Sequence, residues 1–88
     1  MTAPDPIGAR TWHEADGLHV DVRGLPPPQP LVLVLRLIDG PQAPPVVILH
    51  HDREPRLLYP ELAERGWQAS HLAGDPGEVR LRLEPFVP

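Results

Sequence analysis

The stretch Leu18-His19-Val20-Asp21-Val22-Arg23-Gly24-Leu25-Pro26-Pro27-Pro28-Gln29-Pro30, followed by the apolar segment from Leu31 to Ile38, decides the fold. Its first five residues alternate apolar and polar, the period of a half-buried strand. Leu18, Val20 and Val22 share one face; His19 and Asp21 share the other. Gly24 permits a turn. Proline has no N–H to donate, and it is tolerated in the first helical turn, where that N–H would have no partner. Pro28 and Pro30 therefore mark the start of a helix that runs to about Ile38. Asp39-Gly40-Pro41 supplies its stop.

The same reading extends downstream. Pro45-Val46-Val47-Ile48-Leu49-His50 is a continuous, largely β-branched run, expected as a central strand buried on much of both faces. A second helix is expected over residues 55–65, with an apolar stripe of Leu57, Leu58, Leu62 and Ala63 and a stop at Gly66. Pro60 inside this pattern limits its first part to a single turn or kinks it. Residues 67–72 form a third strand, and Gly74-Asp75-Pro76-Gly77 a turn. In the strand over residues 78–84, Val79, Leu81 and Leu83 face inward and Arg80, Arg82 and Glu84 outward, so the last two strands make a hairpin. Residues 1–14 are expected as a flexible tail, with the polar segment from Trp12 to Asp16 irregular, and residues 15–88 as one domain. The order is β-α-β-α-β-β. Right-handed crossovers place both helices on one face of a four-stranded mixed sheet, giving a two-layer α/β sandwich with one face open.

Composition narrows the chemistry. The 88 residues contain no cysteine, so disulfides, thiolate metal sites and thiol catalysis are excluded. All eight basic residues are arginine and the net charge is −4, which offers no general attraction to nucleic acid or an anionic membrane. The first residues have neither a basic nor an apolar region of signal-peptide type, and the apolar run from Leu31 to Leu35 is too short to span a bilayer. The expected compartment is the cytoplasm, and the expected state a monomer or weak homodimer. No Ser–His–Asp order, phosphate loop or closely paired carboxylates stand out, so no catalytic residues are assigned and the chain is not expected to be an enzyme.

The segment from Asp21 to Pro30 resembles the signature of the TusA/SirA-like family, Asp-x-Arg-Gly-Leu-x-Cys-Pro-x-Pro. The stretch His51-Asp52-Arg53-Glu54-Pro55-Arg56-Leu57-Leu58-Tyr59 is similar to the companion motif of a cysteine-less relative, the domain of unknown function 2249. The resemblance covers residues 17–84 and implies the sandwich derived above. In the sulfur-relay members a cysteine at the start of the helix carries a persulfide. Pro27 stands at that position here and offers no nucleophile, while Pro28 and Pro30 match the family's two prolines. The resemblance also implies a context near hemerythrin-like domains and nitrogen-oxide metabolism.

Ligands of such sheets gather beyond the carboxyl ends of parallel strands. That places Arg23, His51, Asp52 and Arg53 as candidates for binding a partner protein or a small anionic ligand. A metal alternative uses His51 and Asp52 with His19 or His71 to hold a divalent ion; its structural counterpart has Asp52 capping the second helix. Arg23 is expected either at an anion site with Arg53 or tied to Asp21 or Asp52. His13, His19 and His71 read as surface residues. Arg80, Arg82 and Glu84, opposite His19 and Asp21, would decorate the open face. If that face docks a protein, Val47 or Leu49 would be its apolar anchor.

Overall fold

The computed structural model describes residues 9–87, so the expectation for residues 1–8 lies outside the described residues. Among the described residues seven elements follow one another: β1 (Arg10–Glu14), β2 (Gly17–Asp21), α1 (Gln29–Asp39), β3 (Val47–His51), α2 (Leu58–Glu64), β4 (Trp67–Leu72) and β5 (Val79–Pro85). The sheet has five strands in the order β1-β2-β3-β5-β4. Only β2 and β3 pair in parallel; β1 with β2, β3 with β5 and β4 with β5 are antiparallel.

Two expectations are corrected here. The sheet has five strands rather than four, because the segment expected as tail and irregular chain contains β1. Its alternation was hidden because the partners of Trp12 across the sheet are histidines rather than apolar residues. Crossover connections imply parallel pairing of the strands they join, but the strands flanking α2 are not neighbours: β5 lies between β3 and β4.

The hairpin β1–β2 turns over two residues, since Glu14 and Gly17 are directly opposed. Gly17 has φ +140°, and a Cβ there would stand 2.7 Å from the Val46 carbonyl oxygen. Only glycine lets the chain approach Val46 so closely. At the next residue the Leu18 amide donates to that same oxygen at 3.1 Å, starting the parallel pair.

Both helices obey their prolines. Pro28 is the N-cap of α1 and Pro30 lies in its first turn, where a missing N–H costs nothing. In α2 the first helical residue is Leu58, so Pro60 also falls in the first turn and the helix needs no kink. Gly66 follows α2 with φ +72° and donates to the Ala63 carbonyl.

Residues at matching register place Val20, Leu49 and Leu81, and likewise Val47 and Leu83, on one side of the sheet. They form a single buried cluster with Leu33, Val34 and Ile38 of α1 and Leu58 and Leu62 of α2. Both helices thus cover one face. β3 is buried at all five positions, so the opposite side of its centre is covered as well. Ile48, on that opposite side, is fully buried.

Gly17→Ala should lower stability by about 1–3 kcal/mol through backbone strain and collision with Val46. Urea denaturation at neutral pH measures it; an unchanged midpoint would show that the hairpin can reseat without its glycine.

Candidate functional site

The two helix starts and the carboxyl end of β3 enclose a cavity of about 270 Å³. Leu25, Pro27, Pro28, Pro30, Leu31 and Val34 line it from the α1 side, Leu49 and His51 from β3, and residues 53–58 from the segment leading into α2. The walls are apolar. Three of the residues that open α1 are prolines and bring no amide donor, so this helix start is not an anion nest. Polarity comes from the rim, where Arg53, Glu54 and Arg56 are exposed.

His51 is 5% exposed at the cavity wall. Its Nδ1 lies 2.9 Å from the Asp52 amide nitrogen and 3.3 Å from that of Arg53, both of which donate to it. In that arrangement the ring proton sits on Nε2. The Asp52 carboxylate, 3.1 Å from the same Nδ1, is the alternative partner if the ring gains a second proton. Asp52 also accepts from the Gly24 amide at 3.0 Å, which pins the turn after β2 to the end of β3. That bond is the main reason its carboxyl is held below the ordinary carboxylate range, with His51 adding to it. Glu54 accepts from Tyr59 and lies 2.9 Å from His71 Nε2. These two bonds hold Glu54 low, in that order, while burial and then Glu54 push the Tyr59 hydroxyl up.

The structure therefore gathers Pro27, Pro28, Pro30, His51 and Arg53 around one cavity. It does not bring Arg23 there. Arg23 forms a two-pronged pair with Asp21, at 2.9 and 2.8 Å. Asp52 ties down Gly24 and does not cap α2, whose N-cap is Leu57 with no side-chain cap bond. His71 sits with Glu54, whereas His19 is on the other side of the sheet from His51.

That other side differs from the solvated face expected. Val47 and Leu49 face the helices, and Ile48 is the residue at its centre. His19 and His50 are each 5% exposed, lying under Trp12, whose ring centroid is 5.2 Å from both. Asp16 Oδ1 is 2.7 Å from His19 Nε2, His19 Nδ1 is 2.7 Å from His50 Nε2, and His50 Nδ1 is 3.2 Å from Glu78 Oε1. The Glu78 side chain is 2% exposed and takes Arg80 at 2.6 Å and Arg23 at 3.6 Å. Arg80 and then His50 hold its carboxyl below the ordinary range against the opposing effect of burial. Sequence reasoning missed this cluster. Alternation puts His19 and Asp21 on this face, but His19 is buried rather than the surface residue expected, and nothing in the spacing of 31 residues links His19 to His50, or 28 residues His50 to Glu78. Glu14, Asp16 and His19 also bring one ligand-type atom each within 4.8 Å of one another. The histidine nitrogen there already faces Asp16 at 2.7 Å, so we read the group as a hydrogen-bonded one.

A family model described as "Uncharacterized conserved protein (DUF2249)" matches residues 19–85, which leaves β1 outside the matched span. No curated protein and no solved structure matches.

Glu78→Gln should cost about 2 kcal/mol at pH 7, because a buried charge-assisted pair is lost. The folded-state carboxyl lies below its unfolded value of 4.5, so its contribution is full above that pH and is lost as pH falls through the folded value. Urea unfolding of wild type and variant should therefore differ at pH 7 and converge in acid as pH falls from 4.5 through the lowered folded-state value; a constant difference would mean the carboxylate charge is not what matters.

Proposed function

The chain belongs to the family of uncharacterized conserved proteins DUF2249, and we propose that this member is a non-catalytic binding module whose cavity takes a small organic acid, apolar body inward and carboxylate at the arginine rim. The observation that carries this is the cavity itself: apolar walls, built by two helix starts over the carboxyl end of the parallel pair, with Arg53 and Arg56 at the mouth. Crevices of that placement are where open α/β sheets hold ligands. The volume lies just under the usual range of about 300–1,000 Å³ for small-molecule sites, which favours a compact ligand over a large cofactor.

The charges support the same reading. Arg53 has a side chain 62% exposed, and its nearest acid, Asp52, is 3.5 Å away and already accepts from Gly24. Its guanidinium is available for a ligand carboxylate at the entrance. With prolines in place of amide donors, the interior suits a hydrocarbon better than a phosphate. His51 Nε2–H supplies one further donor at the wall. The absence of a nucleophile at Pro27 supports binding over group transfer. The order β2-α1-β3-α2-β4-β5 supports kinship with the TusA/SirA-like fold, to which β1 is an addition.

The test is an amide NMR titration with octanoate and, in parallel, with 1-octanol. Octanoate should give saturable shifts centred on Leu31, His51, Arg53 and Leu57, and the alcohol weaker ones at the same residues. The double variant Arg53→Ala, Arg56→Ala should weaken octanoate about tenfold, the equivalent of about 1.4 kcal/mol. Shifts scattered over the surface, or none at millimolar ligand, would sink the proposal.

A further inference from the structure

The row Asp16–His19–His50–Glu78 crosses the helix-free side of the sheet, away from the cavity. Its three contacts join four ring nitrogens and two carboxylates, and each needs one proton to be a hydrogen bond. A carboxylate can only accept. His19 Nε2 must therefore donate to Asp16, and His50 Nδ1 must donate to Glu78. The remaining nitrogens, His19 Nδ1 and His50 Nε2, face each other at 2.7 Å. Two neutral imidazoles carry two ring protons between them, and both are already used. Without a third, two lone pairs would confront each other in a buried site.

The third proton does not reside on a carboxyl group. Asp16 is held below the ordinary carboxylate range by its bond to His19, and Glu78 by Arg80 and His50. One ring of the pair therefore carries it, and the charges on the surrounding elements decide which. On the His50 side, Glu78 is already neutralised by Arg80 and Arg23. Burial pushes His50 below the ordinary imidazole value, Glu78 pulls it back, and Arg80 repels a charge there. Asp21, nearby on β2, is bound to Arg23. On the His19 side stand two carboxylates, Asp16 at 2.7 Å and Glu14 of β1 at 3.6 Å, and neither is paired with an arginine. Arg82 of β5 is engaged with Glu84. The Trp12 ring lies 5.2 Å from both imidazoles and does not discriminate between them, and Arg10 of β1 lies over the same indole at 5.0 Å, so the carboxylates decide.

We infer that His19 is a buried imidazolium, donating through Nε2 to Asp16 and through Nδ1 to a neutral His50, and that the pair is a proton-binding site of the fold. The proton joins the β1–β2 turn to the centre of the sheet and to the approach of β5. Its loss turns the central bond into a repulsion and loosens the seat of Trp12. A folded pair that keeps a proton the unfolded chain has released makes stability fall as pH rises.

Ring-nitrogen NMR of ¹⁵N-histidine-labelled protein at pH 7.5 reads the state directly. The expected spectrum shows both nitrogens of His19 protonated, with His50 protonated on Nδ1 only. Two singly protonated rings would overturn the inference, and a doubly protonated His50 would overturn the assignment to His19. In Asp16→Asn the doubly protonated His19 signature should disappear while the amide spectrum stays dispersed. Its persistence there would show that Asp16 does not hold the cation and would defeat the electrostatic argument.

Discussion

A central strand with no exposed residue is the constraint on which the rest depends. β3 is buried at all five positions, so both sides of the sheet must be covered at its middle. The helices cover only one side. The other is closed by the sheet's own side chains, with Trp12 laid over His19 and His50. The two sides solve the problem with opposite chemistry: hydrocarbon packing under the helices, and a fully partnered polar row behind them. No buried side-chain polar atom among the described residues lacks a hydrogen-bond partner. A half-satisfied row would cost more than the burial gains.

That division explains what could be read from the sequence. β2, the proline-led helix, β3 and the last hairpin were legible because period-2 alternation and proline position are local signals. β1 was not. Its one large apolar residue, Trp12, packs on histidines, so no apolar periodicity marks the strand. The insertion of β5 between β3 and β4 was equally hidden, because crossovers report strand direction and not neighbourhood.

The candidate site was partly legible for the same reason. Pro27, Pro28, Pro30, His51 and Arg53 cluster because they flank consecutive elements at one end of the sheet, and that follows from topology. Arg23 left the group because its nearest acid, Asp21, is two residues away and offers both carboxylate oxygens. A local bidentate pair outcompetes a longer reach to the cavity. Asp52, placed among the binding candidates with helix capping as its structural alternative, does not line the cavity and binds the turn after β2 rather than the start of α2. The histidine pair depends on long-range register, which no single-sequence pattern encodes.

The strand order has a kinetic meaning as well. β4 has a single neighbour in the sheet, and that neighbour, β5, follows it in the chain. When β3, α2 and β4 have been synthesised, a one-strand slot still separates β3 from β4. Neither β4 nor the edge of β3 can complete its ladder until β5 arrives. The hairpin of β4 and β5 therefore completes the sheet from within rather than at the rim, its second arm filling the place between β3 and β4. Until then β3 offers an unpaired edge, apolar over Val47, Ile48 and Leu49, the kind that recruits foreign strands. The short connection of residues 73–78 shortens that interval, since closing so small a loop takes on the order of 10–100 ns.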